Sequence, residues 1–373
     1  VSVLVTEAEA ATARPDPAGM RSSLIGLERA ALTGLMAELG ADQPGLRARQ
    51  LEHWLYQRGV ADIAAMTTLP AALRARLAER CTAARPAISA AQVSADGTRK
   101  WLLRFADGQE VETVFIPEDD RGALCISTQV GCTLTCAFCH TGTMPLVRNL
   151  GAGEILAQLL LARDALGEWP STRTDRRLTN IVVMGMGEPL LNYDATVRAL
   201  RRAADPHGLA VPLRKITLST SGVVPRIDDL ARDLPVGLAI SLHAVRDELR
   251  DELVPLNRKW NIAALLDACR RYPVKGRAIT FEYVMLQGVN DSDAEARELV
   301  RLLDGIDAKV NLIPFNPWPG APYACSSNNR IRAFAAIVEA AGYPSPVRTP
   351  RGRDILAACG QLKTLSRRVR KAA

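Results

Sequence analysis

Gly131-Cys132-Thr133-Leu134-Thr135-Cys136-Ala137-Phe138-Cys139-His140 puts three of the chain's eight cysteines in one short loop. Thiolates at C-x3-C-x2-C spacing suit a soft, multi-centred partner, because a single tetrahedral zinc wants a fourth ligand at similar reach. An iron-sulfur cubane held by Cys132, Cys136 and Cys139 keeps one iron open for a small molecule. Zinc with Cys125 or His140 as fourth ligand is the competing reading, and three unrelated buried thiols are the bland one. Phe138 is placed to shield a cluster or to serve as an ordinary core aromatic.

Outward from the loop, apolar β-type runs alternate with helical segments. The runs are Ala123 to Val130, Asn180 to Met186, Lys215 to Ser219, Val236 to Leu242, Ile279 to Met285 and Lys309 to Phe315. Six strands with helical crossovers predict a parallel α/β sheet, and no G-x-G-x-x-G fingerprint opens a helix as a dinucleotide fold requires. The expected closure is a partial (β/α)6 barrel over 121–350. Polar groups gather where these strands end, as barrel enzymes arrange them. The first run enters the cysteine loop, and the second ends in Gly187-Glu188-Pro189. The third ends in Ser219-Thr220-Ser221-Gly222, the fourth in Ser241-Leu242-His243 and the sixth in Asn316-Pro317.

Before the barrel, 1–22 reads as a disordered leader, low in aromatics and carrying Pro15 and Pro17. Leu32, Leu35, Met36 and Leu39 recur at helical spacing, and Leu51, Trp54 and Leu55 continue the pattern, so 23–90 reads as a small helical domain. Arg47, Arg49 and Arg58 are its candidate RNA contacts, or simply solvate it. Two apolar segments around Asp107-Gly108 predict a β-hairpin within a 91–120 connection, with Glu112 on its second strand. A final segment, 351–373, carries Cys359 and a basic tail.

The formal net charge is +7, with 47 Lys and Arg against 40 Asp and Glu. Arginines bunch at Arg173, Arg176 and Arg177, at Arg348, Arg351 and Arg353, and at Arg367, Arg368, Arg370 and Lys371, an arrangement suited to phosphate. A solvated arginine-rich surface is the alternative. No apolar run reaches bilayer length, and scattered cysteines do not form a secreted disulfide framework. The expectation is a soluble cytoplasmic protein with no membrane partner, and a monomer. Cys81, Cys269 and Cys325 read as structural thiols.

A ligand on the open iron offers an amine and a carboxylate. Gly187 lets the backbone approach it, Glu188 accepts from the amine, and Ser219, Ser241 and Asn316 bind its oxygens. S-adenosylmethionine fits that description. Here the chain resembles the radical S-adenosylmethionine superfamily, through Cys132, Cys136 and Cys139 with Gly187-Glu188-Pro189. Val111 to Pro117, Cys125 to Cys132, Met184 to Leu191, Leu218 to Pro225 and Arg348 to Gly360 resemble the RlmN/Cfr family of RNA adenine methyltransferases.

That resemblance implies a 4Fe-4S cluster and two S-adenosylmethionine molecules per turnover, with Gly187, Glu188, Ser219, Ser241, Leu242, His243 and Asn316 as cofactor-binding residues. Cys359 would carry a methyl group, Cys125 would resolve the protein–RNA adduct through a transient disulfide, and Glu112 would accept a proton. Substrates would be 23S ribosomal RNA and tRNA, and a flavodoxin or ferredoxin would supply electrons. A methyltransferase acting at adenine C8 and a zinc-stabilised, non-catalytic RNA-binding protein are the alternatives.

Overall fold

A computed structural model describes residues 21–119, 121–170, 176–273 and 276–366. The leader before residue 21, Arg173 and the tail residues Arg367, Arg368, Arg370 and Lys371 lie outside that range. Near the N-terminus three helices, α1 (Arg29–Glu38), α2 (Pro44–Glu52) and α3 (Ala71–Arg80), bury Leu32 and Met36, Leu51, and Leu73 and Leu77 against one another. Pro44 sits in the first turn of α2, where its fixed φ suits the helix and its missing N–H leaves no gap.

One nine-stranded sheet dominates, with strands adjacent in chain order: β1 (Ala87–Val93), β2 (Arg99–Arg104), β3 (Glu110–Pro117), β4 (Gly122–Cys125), β5 (Asn180–Val183), β6 (Ile216–Thr220), β7 (Gly237–Ser241), β8 (Ile279–Met285) and β9 (Ala308–Pro314). The last six are parallel and correspond to the six predicted runs. The first three are antiparallel. The hairpin around Asp107-Gly108 is β2 with β3. Sequence reading did not foresee β1, which begins inside the stretch assigned to the helical domain and joins β2 through a turn at Asp96-Gly97.

Helical crossovers connect the parallel strands: α4 (Ala152–Leu166), α5 (Tyr193–Ala204), α6 (Val224–Asp233), α7 (Asp247–Leu253) with α8 (Ile262–Arg271), and α9 (Asp293–Leu302). α10 (Asn328–Ala340) follows β9. Inward-facing residues of β4, β5, β6, β8 and β9 line one common cavity, including Cys125, Asn180, Thr217, Glu282 and Asn311. The sheet therefore curves around an interior, as a partial barrel does. The β9 edge is covered by the chain itself: the amides of Val310 and Leu312 donate to the carbonyls of Pro344 and Pro346. Among the described residues no helix is long and apolar enough to cross a membrane.

Candidate active site

The cysteine loop leaves β4 earlier than its apolar run suggested. Beyond Cys125 the chain departs from the ladder, and Gln129–Val130 pairs instead with Arg148–Asn149. Gln129 then holds the loop, its Nε2 donating to Thr133 Oγ1 (2.9 Å) and Asn149 Oδ1 (2.8 Å) and its Oε1 accepting from the Thr133 amide (3.2 Å). Gly131 is required by geometry, with φ +77° and a position where a Cβ would stand 2.2 Å from the Pro145 carbonyl oxygen.

Cys132, Cys136 and Cys139 line one pocket together with Phe138. Burial pushes the Cys132 thiol up to about 12. Burial, then the neighbouring Cys139 and Cys132, pushes Cys136 up, and burial raises Cys139. Three soft donors this close resist carrying their charges together unless a cationic centre joins them. Among the described residues no three His, Cys, Asp or Glu side chains form a single-ion site. The donor set fits a multi-iron cluster, which Cys132, Cys136 and Cys139 would hold at this pocket.

That pocket continues to Gly187, Glu188, Ser219, Ser241, His243 and Asn316. Gly187 adopts φ +99°, and a Cβ there would stand 2.5 Å from the Gln129 Cβ. The Glu188 carboxylate accepts from the amides of Leu190 (3.1 Å) and Ser221 (2.8 Å) and from Thr220 Oγ1 (2.8 Å). Burial, against those three bonds, moves its carboxyl up to about 6. Ser219 and Ser241 bring their hydroxyls 3.4 Å apart on adjacent strands. His243 has φ +61°, accepts at Nδ1 from the Val284 amide (3.1 Å) and meets Phe138 edge-on at 4.5 Å between ring centroids. Leu242 differs from the rest: its side chain is core, and its carbonyl accepts from Arg250 Nε (3.0 Å).

Cys359 and Cys125 line a second cavity of about 690 Å³, and Cys359 lines the first pocket as well. Both are free thiols, Cys359 exposed and Cys125 half-buried. Burial, then the neighbouring Cys359, pushes Cys125 up to about 12. The segment that carries Cys359 is anchored. The Gly360 carbonyl accepts from the His140 amide (2.8 Å), the Leu362 carbonyl from Thr141 Oγ1 (2.6 Å) and the Cys359 carbonyl from Asn316 Nδ2 (3.2 Å).

Glu112 lines neither cavity. It is buried, with Oε1 2.8 Å from Lys100 Nζ and Oε2 accepting from the Lys363 amide at 2.7 Å. Burial raises its carboxyl, with Lys100 opposing.

Among the arginines grouped as phosphate contacts, Arg348, Arg351 and Arg353 engage groups of the protein itself. Arg348 Nη1 stands 3.6 Å from Glu282 Oε1, Arg351 donates to the Pro117 carbonyl, and Arg353 donates to Asn316 Oδ1. In the helical domain Arg47 pairs with Asp42, and Arg58 lies over the Trp54 ring.

Sequence reasoning missed Gln129, Glu282 and Arg250. Arg250 ties the strand ends together, donating to the carbonyls of Ser221 (2.7 Å), Ser241 (3.0 Å) and Leu242. A charge in an otherwise ordinary amphipathic helix gave no sign of this. Glu282, inside an apolar run, was the one legible signal: a carboxylate at a fully buried strand position needs a partner.

Comparisons with known proteins place the chain in a family. Residues 126–300 match the model of the radical SAM superfamily, and residues 22–83 match the ribosomal RNA large subunit methyltransferase N-terminal domain. A "Dual-specificity RNA methyltransferase RlmN" of Granulibacter bethesdensis is 58% identical over 373 residues, covering 98% of this chain and 94% of that protein. Its counterpart in Rhodospirillum rubrum is 59% identical over 351 residues, covering 93% and 82%. The crystal structure of a radical SAM methyltransferase from Sphaerobacter thermophilus superposes with TM-score 0.86 at 50% identity, covering 92% of this chain and 99% of that one.

Proposed function

The chain belongs to the RlmN family of dual-specificity RNA methyltransferases, and from that premise we propose that it methylates C2 of adenine in 23S ribosomal RNA and in tRNA, using Cys359 and Cys125 in turn. One observation carries the two-cysteine reading: both free thiols line a single cavity, and Cys359 also reaches the pocket of the cysteine loop.

Adenine C2 lies between two ring nitrogens and is too electron-poor to attack a sulfonium methyl directly, so a carbon radical must come to it. A 4Fe-4S cluster on Cys132, Cys136 and Cys139 supplies, when bound, the electron that splits S-adenosylmethionine to methionine and a 5′-deoxyadenosyl radical. Gly187, Glu188, Ser219, Ser241, His243 and Asn316 hold that donor beside it.

Cys359 acts first as a nucleophile. Its sulfur gains the methyl of one S-adenosylmethionine as the sulfonium–carbon bond breaks and S-adenosylhomocysteine leaves. The S-methyl group on Cys359 would then give up a hydrogen atom to the 5′-deoxyadenosyl radical of a second molecule, and the carbon radical left on Cys359 would bond to C2. Rearomatisation would then return one electron to the cluster held by Cys132, Cys136 and Cys139 and give up the C2 proton, with Glu112 as proton acceptor once its bond from Lys363 opens. Cys125 then attacks the Cys359 sulfur: the S–S bond forms as the S–CH2 bond breaks, and the released carbon takes a proton to become methyl. The disulfide requires a two-electron reductant each turnover.

A flavodoxin or ferredoxin is the proposed electron donor, and a cytoplasmic monomer the proposed working form. Fragmentation mass spectrometry of nucleosides from RNA treated with reconstituted enzyme tests the reading. It predicts 2-methyladenosine, and 8-methyladenosine alone would reject it.

A further inference from the structure

Glu282 sits in mid-β8, 4% exposed, and lines both the cysteine-loop pocket and the cavity of Cys125 and Cys359. Its two oxygens are not alike. Oε1 accepts from Asn311 Nδ2 at 3.1 Å and faces Arg348 Nη1 at 3.6 Å, whereas Oε2 is buried with no hydrogen-bond partner. A buried carboxylate oxygen left without a donor is costly, and folded chains keep such groups where a ligand completes them. Asn311 fixes the carboxylate from one side, so the free oxygen has a set direction and can read geometry as well as charge.

The ligand that completes it must bring a hydrogen-bond donor. Phosphate and carboxylate groups bring none, and the neighbouring Arg348 already supplies a cation. A flat neutral amine on a heterocycle meets the requirement, as when a carboxylate accepts from the exocyclic amine of cytosine in a DNA groove. The cavity of about 690 Å³ falls in the range that encloses a small ligand such as a purine.

We propose that Glu282 accepts a hydrogen bond from the exocyclic amino group of a 6-aminopurine, the adenine base of the RNA substrate, and so selects adenine for presentation to Cys359. The inference rests on the RNA-adenine reading above. S-adenosylmethionine carries the same purine, so the test has two arms.

Cluster-loaded enzyme is titrated, at one fixed salt concentration, with a 23S rRNA fragment bearing adenosine or purine riboside, which lacks the 6-amino group, at the modified position. In parallel it is titrated with S-adenosylhomocysteine and its 6-desamino analogue. The expected result is about tenfold or greater preference for adenosine RNA, collapsing to within about twofold in Glu282→Ala and largely kept in Glu282→Gln, which retains a carbonyl acceptor. The donor pair should show no such preference.

A preference confined to the donor arm would overturn the RNA assignment and give Glu282 to the methyl donor. No preference in either arm would mean that Glu282 reads no aminopurine. Because the wild-type comparison needs no variant, a folding failure in Glu282→Ala leaves the test intact. Adenosine RNA that is neither bound nor methylated would defeat the functional reading itself, a result distinct from equal binding of the two RNAs.

Discussion

Lys100 Nζ stands 2.8 Å from Glu112 Oε1, and this buried pair grips the Cys359 segment at both ends. Lys100 also donates to the Leu356 carbonyl (3.3 Å), and Glu112 also accepts from the Lys363 amide (2.7 Å). Strands β2 and β3 thus do more than connect two parts of the chain. They supply the clamp that holds Cys359, the proposed methyl carrier, over the barrel, and they tie up the proposed proton acceptor while the clamp is closed.

Removing one partner of a buried pair strands the other. Lys100→Ala should therefore destabilise the protein by about 3–5 kcal/mol, read as a lower denaturation midpoint, and should speed amide exchange across 356–363. Lys100→Met combined with Glu112→Gln should recover much of the stability, because the double variant leaves no buried charge of this pair. Unchanged exchange in Lys100→Ala would show that the clamp is not what holds this segment.

His243 gives the fold a pH dependence of definite sign. Burial, and then the Arg250 charge, drive its imidazole down from 6.5 to about 3. Below pH 6.5 the unfolded chain binds a proton that the folded one refuses, so stability is full above that pH and falls as pH drops from 6.5 toward 3. One proton corresponds to about 1.4 kcal/mol per pH unit. Comparing urea midpoints at pH 6.5 and 5 for wild type and His243→Asn, whose side-chain oxygen replaces the Nδ1 acceptor, should show a shallower loss in the variant. Parallel slopes would place this dependence elsewhere.

The six parallel strands were legible because each is an apolar run closed by polar or glycine-rich residues, and the strand-end residues were legible because barrel topology brings those ends to one rim. Cys132, Cys136, Cys139, Glu188, Ser219, Ser241 and Asn316 accordingly meet in one pocket. Strand β1 escaped notice because its alanine-rich sequence has weak β character and gains its place only by pairing with β2. Glu112 stood out in the sequence as a carboxylate on an apolar strand, but neither its place outside both cavities nor its partner Lys100 was legible, since pairing across two strands depends on register and burial. The same holds for Arg348 and Arg353: their charge was evident, but their inward direction depends on how the chain after β9 returns over the barrel.

Gly131 offers a local test of the cysteine loop. In Gly131→Ala the new Cβ would meet the Pro145 carbonyl at 2.2 Å with φ held at +77°, so the loop must shift before it can be built. Anaerobic reconstitution should give markedly less iron and sulfide per chain than wild type, with helix content unchanged. Full loading would mean that the turn is not needed to gather the three thiols.

Cys125 and Cys359 should fail in opposite ways. Without the Cys359 sulfur there is nothing to receive the first methyl, so Cys359→Ala should show no S-methylcysteine by peptide mass spectrometry and no product RNA. In the proposed mechanism the early steps remain available without Cys125, and the methylene bridge between Cys359 and adenine should form but not be cut. Cys125→Ala should therefore accumulate a protein–RNA species that survives denaturing electrophoresis and vanishes on RNA digestion, leaving a nucleotide mass on the peptide containing Cys359. The double variant Cys125→Ala, Cys359→Ala should give no adduct, which separates a true bridge from adventitious crosslinking. Free methylated RNA released at the wild-type rate by Cys125→Ala would remove the resolving step and with it the two-cysteine mechanism.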